Sequence, residues 1–150
     1  MTSETNGLKA RTRRPGVFAW LRLARAHQKL ERAAAADLRE SGLSVPQFDV
    51  LAHIAGAESR GITQQQLAES RVTTKGNLSQ LLASMEADGL LWREREGRLK
   101  RVALTPKGRA LFEGVVPGHE AFMERQFDCM SAGDVATLTR LLRKLDRSMR

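Results

Sequence analysis

Between Ser70 and Met85 the chain carries no carboxylate, and Leu78, Leu81, Leu82 and Met85 fall at i, i+3, i+4 and i+7. That spacing predicts a helix with one narrow buried stripe. The opposite face then holds Thr73, Gly76, Asn77, Gln80, Ala83 and Ser84, with Ser79 at its border. Side-chain amides can bond adenine bidentately, and small hydroxyls reach base edges or phosphates. An acid on this face would repel phosphate, so its absence fits the same chemistry. Thr73 or Thr74 is expected to cap the helix, next to Lys75. The candidate nucleic-acid contacts here are Thr73, Thr74, Lys75, Asn77, Ser79, Gln80 and Ser84.

A second group follows directly. Residues 93–109 hold Arg93, Arg95, Arg98, Lys100, Arg101, Lys107 and Arg109 against only Glu94 and Glu96. A basic ribbon beside such a helix can place arginine in the adjacent minor groove, where the potential is most negative. Arg93, Arg95, Arg98 and Lys100 are the candidates. Other chemistries find no support. His27, His53, His119 and Cys129 are scattered without the spacing of a zinc site. There is no nucleophile elbow, phosphate loop or paired-carboxylate motif, so neither enzyme activity nor a metal or cofactor is expected.

These residues need elements to hold them. A helical pattern runs from Val17 to about Arg39 and ends at Gly42. Its stripe of Leu21, Ala24, Gln28 and Ala35 is widened by Leu23, Leu30 and Leu38. Ser44-Val45-Pro46-Gln47 and Thr63-Gln64-Gln65-Gln66 read as capping boxes, stapled by Leu43/Phe48 and Ile62/Leu67. A short helix, Gln64 to Glu69, then precedes the candidate helix, which reaches about Asp88 and exits at Gly89. Leu90–Arg93 and Lys100–Leu104 are strand candidates across a tip at Glu94–Leu99 containing Gly97. Thr105-Pro106 opens another helix, which Pro117-Gly118 is expected to kink or break. Ser131–Asp134 caps a last helix striped by Leu138, Leu141, Leu142 and Leu145. The order helix, helix, short helix, turn, helix, hairpin is a winged helix-turn-helix, whose second helix enters the major groove.

The chain has 150 residues, 41% hydrophobic and 28% charged, with a net charge of +8. That is a globular balance, and its basic surplus favours a polyanionic partner. The single cysteine excludes an internal disulfide and fits a reducing compartment. Arg13-Arg14 precedes Val17–Leu21, but Arg22 and Arg25 interrupt the apolar stretch, so a secretion signal is not expected. No run is apolar enough to span a membrane, and the expected location is cytoplasmic.

The run VTTKGNLSQLLASMEADGLLWREREGRLKRVALTPKG resembles the recognition helix and wing of the MarR (multiple-antibiotic-resistance regulator) family. The likeness includes the GL helix exit and the LTxxG opening of the next helix, and extends over roughly 17–150. It implies a mainly α fold with a small β-hairpin wing, in which N- and C-terminal helices form a dimerisation layer. The expected organisation is a flexible basic arm at 1–16 and one domain at 17–150. Within that domain the winged core spans about 43–105, and the dimerisation helices about 17–41 and 106–150. The resemblance also implies a homodimeric, cytoplasmic repressor on a pseudo-palindromic double-stranded operator, released by a small aromatic or phenolic ligand. The family's wing motif Asp-x-Arg reads Glu96-Gly97-Arg98 here, and Gln80 stands where arginine is common. Relatives bind ligands between the two layers, near which Trp20 and His27 share one side of the first helix. The reactive cysteine of some members lies near the start of that helix, so Cys129 is expected to be a core or interface thiol. The alternative reading is a winged-helix module for protein association or RNA binding. The polar, acid-free helix face argues against protein association.

Overall fold

The computed structural model describes residues 14–57, 60–70 and 75–149. The candidates Thr73 and Thr74, the Lys75 side chain and the arm over 1–13 lie outside the described residues. Helix α1, Pro15–Arg39, begins two residues before the expected boundary. Pro15 occupies its first position, where the missing amide has no helical partner to lose. The helix closes in a Schellman turn. Leu43 N–H returns to the Leu38 carbonyl (3.2 Å), and Gly42 N–H to that of Arg39 (3.0 Å).

Helix α2, Val45–Gly56, carries the expected capping box. The Ser44 amide donates to Gln47 Oε1 (2.8 Å), and the Gln47 amide to Ser44 Oγ (3.3 Å). Thr63 and Gln66 repeat the device at α3, Gln64–Glu69. Both expected staples deliver residues to the core, where Leu43 and Leu67 are buried and Phe48 and Ile62 pack against them. Strand β1, Ile62–Thr63, was not anticipated, being too short to show any period. It pairs antiparallel with β3, Ile62 lying opposite Val102.

Helix α4 spans Lys75–Ala87, and strands β2 (Leu91–Glu96) and β3 (Leu99–Leu104) follow, giving the sheet order β1-β3-β2. The hairpin tip is only Gly97-Arg98, with Gly97 at φ +61°, rather than the six residues expected. The ladder continues through Glu94–Arg101 and Arg95–Lys100, charged rungs that carry no apolar alternation.

Helix α5, Pro106–Arg125, continues through Pro117, so of the expected kink or break the break does not occur. Pro117 faces solvent, while Leu111, Phe112 and Val115 before it pack on the core and His119 beyond it is buried. Packing on both sides of the proline outweighs its missing hydrogen bond. Helix α6, Ala132–Ser148, has the capping box of Ser131 and Asp134 but no buried residue. The core is formed by Leu38, Leu43, Val50, Leu51, Ile54, Leu67, Leu78, Leu82, Met85, Leu90, Leu91, Val102 and Leu104. Helix α5 covers it, packing on α1, α2 and β3.

Candidate nucleic-acid interface

Helix α4 buries Leu78, Leu82 and Met85 completely or nearly so, with Leu81 half-buried beside them. Gly76, Asn77, Ser79, Gln80, Ala83 and Ser84 are exposed, as the helical period requires. The side chains of Asn77, Ser79, Gln80 and Ser84 hydrogen-bond to none of the described residues. An exposed polar face is what base-edge contact needs.

The junction between α4 and the wing is fixed by backbone geometry. Leu90 N–H bonds the Met85 carbonyl and Gly89 N–H that of Glu86 (3.0 Å each), a second Schellman turn with Gly89 at φ +75°. The far end of the wing is tied to the same point. Thr105 N–H donates to the Leu90 carbonyl (3.1 Å), Thr105 Oγ1 to that of Gly89, and Lys107 Nζ to that of Asp88 (2.8 Å). Gly108 packs so closely that a Cβ there would stand 1.8 Å from the Leu90 carbonyl oxygen. The GL and LTxxG signals are thus two sides of one lock. Both strands of the wing leave from it beside α4.

Strand alternation sorts the basic residues of the wing into two faces. Arg93, Arg95 and Lys100 share the side that buries Leu91, Val102 and Leu104, whereas Trp92, Glu94, Glu96, Leu99 and Arg101 share the other. Arg95, Arg98 and Lys100 are exposed, with Arg98 in the turn itself. Arg93, also among the predicted contacts, is held by a partner within the chain. Its backbone amide and Nη2 both donate to Glu86, at 2.8 and 3.2 Å, and its side chain is half-buried. These hydrogen bonds hold the Glu86 carboxyl below the usual carboxylate range. Glu96 binds the Arg101 Nε, because those two lie diagonally on one face. The hydrogen bond from Arg101 and its charge likewise depress the Glu96 carboxyl.

The predicted ligand pair, Trp20 and His27, is exposed on α1. Trp20 is 65% exposed, and His27 Nε2 makes a surface contact with Glu31 at 3.3 Å. The nearby cleft, about 880 Å3, lies between α1 and the start of α2. It is lined instead by Glu31, Arg32, Arg39 and Asp49, among others. Burial pushes the Asp49 carboxyl up, against the opposing charge of His53. Cys129 is exposed, so it is not a core thiol within the protomer. Among the described residues no three His, Cys, Asp or Glu side chains gather as a metal site. No described helix is long and apolar enough to cross a membrane.

Sequence reading missed His119. Buried on α5, its Nδ1 donates to Asp37 Oδ2 on α1 at 2.6 Å, and its ring meets Phe48 of α2 edge-on at 4.8 Å. Nothing local joins residues 82 apart.

Residues 41–101 match the sequence profile of the MarR family. An uncharacterised HTH-type transcriptional regulator of Bacillus cereus is 33% identical over 113 residues, covering 75% of this chain and 76% of that one. AbsC, a MarR family transcriptional regulator from Streptomyces coelicolor, superposes with a TM-score of 0.81 at 25% identity, covering 88% of this chain and 92% of its own. Sco3205 from the same organism, solved in complex with DNA, gives 0.81 at 22% identity, over 89% and 86% of the two chains.

Proposed function

Given that this chain belongs to the MarR family, we propose that it acts as a homodimeric repressor on a pseudo-palindromic operator, α4 of each protomer lying in a major groove. It is a DNA-binding transcriptional regulator. What carries the specific reading is the exposed, acid-free amide and hydroxyl face of α4 set beside the outward cations Arg95, Arg98 and Lys100. A net charge of +8 supplies the long-range attraction. Sco3205, which shares the fold, has been solved on DNA.

Dimerisation is supported by the apolar surface the protomer leaves open. Val17, Trp20 and Leu23 on α1 and Leu141, Leu142 and Leu145 on α6 are all exposed, and α6 buries nothing. A two-fold pair of winged units, with helices at about 17–41 and 106–150 forming the joining layer, would space its reading helices about one DNA turn (~34 Å) apart. The cleft between α1 and α2, where Arg32 and Arg39 stand beside Glu31 and Asp49, is the space in which we place a small aromatic or phenolic effector. Trp20 and His27 lie outside its lining.

Binding isotherms at several salt concentrations test the reading, using a duplex enriched from a random-sequence pool and an unrelated one. Gln80→Ala should cost about 1–3 kcal/mol mainly on the enriched duplex. Arg98→Ala should weaken both duplexes and reduce the salt slope by about one. If Gln80→Ala and Asn77→Ala both leave the specificity ratio intact, α4 is not the reader.

A further inference from the structure

Glu86 is in an unfavourable place for a carboxylate. It stands in the last turn of α4, where the helix dipole disfavours negative charge, and next to the surface proposed to face phosphates. Its geometry offers a reason. Strand β2 is an open edge of the sheet, and Glu86 Oε2 takes the outward amide of Arg93 while Oε1 takes its guanidinium. One carboxylate therefore binds both the backbone and the side chain of the same wing residue. The Schellman turn at Gly89 brings it there from seven positions earlier.

The next rung of the wing is the second observation. Arg95 lies directly opposite Lys100, on the face that Arg93 shares, and both are exposed. Like charges facing each other across a ladder destabilise a hairpin, and an anion bound to both relieves that repulsion. Glu86, Arg93, Glu94, Arg95 and Lys100 together line a cleft of about 320 Å3 between the end of α4 and the wing.

We propose that Glu86 is the positioning residue of the wing. By clamping Arg93 it fixes the angle at which the Arg95–Lys100 rung is offered to DNA phosphates beside α4. Arg93 is thereby a brace rather than a DNA contact. This rests on the DNA-binding reading above and adds to it the residue that sets the geometry.

The test exploits opposite signs. If Glu86 were only a charge near a polyanion, E86Q would bind DNA more tightly, with an unchanged or steeper salt slope. Positioning requires that E86Q bind a mixed-sequence duplex about tenfold more weakly, with a salt slope shallower by about one to two. E86A should move in the same direction. The double variant E86Q/R95A should be no weaker than R95A alone, since the rung is already displaced. Hydrogen exchange supplies the independent structural readout: the Arg93 amide exchanges faster in E86Q while that of Val102 stays protected. Tighter or unchanged binding by E86Q, or additive losses in the double variant, overturns the proposal while leaving the DNA-binding reading intact. Absence of salt-dependent duplex binding by the wild-type protein overturns both.

Discussion

His119 Nδ1 lies 2.6 Å from Asp37 Oδ2, joining α5 to α1, and the same ring rests edge-on against Phe48 of α2. An ionised carboxylate only accepts hydrogen bonds, so Nδ1 carries the donated proton. Three helices thus meet on one imidazole that is 8% exposed, with Phe112 completing the aromatic contact to Phe48. The pair sits where α1 and α5 are packed onto the winged unit. Asp37→Ala leaves a buried polar ring without its partner, and should cost about 1–3 kcal/mol. Asp37→Asn, which keeps an acceptor, should cost less. Urea unfolding measures both, and an unchanged midpoint for Asp37→Ala would remove the pair from any account of stability.

The lock between the end of α4 and α5 gives a second prediction. With a Cβ only 1.8 Å from the Leu90 carbonyl oxygen, Gly108→Ala cannot be accommodated without moving backbone. Overpacking of this kind costs about 1–3 kcal/mol or more, and a melting temperature lower by at least ~3 °C is expected. A melting curve superimposable on the wild type would mean that the junction yields freely.

Asp49 should respond to pH in an unusual sense. Burial raises its carboxyl above the ordinary value, partly offset by His53 and reinforced by Glu31. A group whose folded pKa is raised adds stability at low pH that is lost as pH climbs through the folded value. At neutral pH the ionised carboxylate is therefore a net cost, and Asp49→Asn should raise the urea midpoint there. The gain should vanish at about pH 3, where both states are protonated. Glu86 and Glu96 run the other way. Their depressed carboxyls contribute stability above the ordinary carboxylate value that is lost as pH falls through the folded one. A drop in midpoint for Asp49→Asn at both pH values would contradict this assignment.

The open stripe of α6 predicts the assembly. Placing aspartate at both Leu141 and Leu145 puts charge into the face proposed to be buried between protomers, where an unpaired ion is strongly disfavoured. Sedimentation velocity should show a dimer for the wild type and a monomer for the double variant, with the helical content of the protomer core retained. A double variant that stays dimeric would move the interface elsewhere.

What the sequence determined by itself is what depends on near neighbours. Capping boxes at Ser44, Thr63 and Ser131, helix exits at Gly42 and Gly89, and the exposed polar face of α4 all follow from residues within one or two helical turns. The stripe that buries Leu78, Leu82 and Met85 dictates that Asn77 and Gln80 point away, because the helical period leaves them no other side. Strand β1 and the full length of the wing were less legible, since two residues or a run of charges carry no alternation to read. Only the tertiary structure decided how charges pair. Arg93 and Arg95 are the same residue type on the same face of one strand, yet Arg93 is clamped by Glu86 and Arg95 is presented outward. The difference comes from where the Gly89 turn delivers the end of α4. Asp37 and His119 make the same point over a longer span, as does Pro117, carried inside a helix by the packing around it. Electrostatic pairing depends on distance in space, and over seven residues or 82 that distance is set by the packed core, not by the order of the chain.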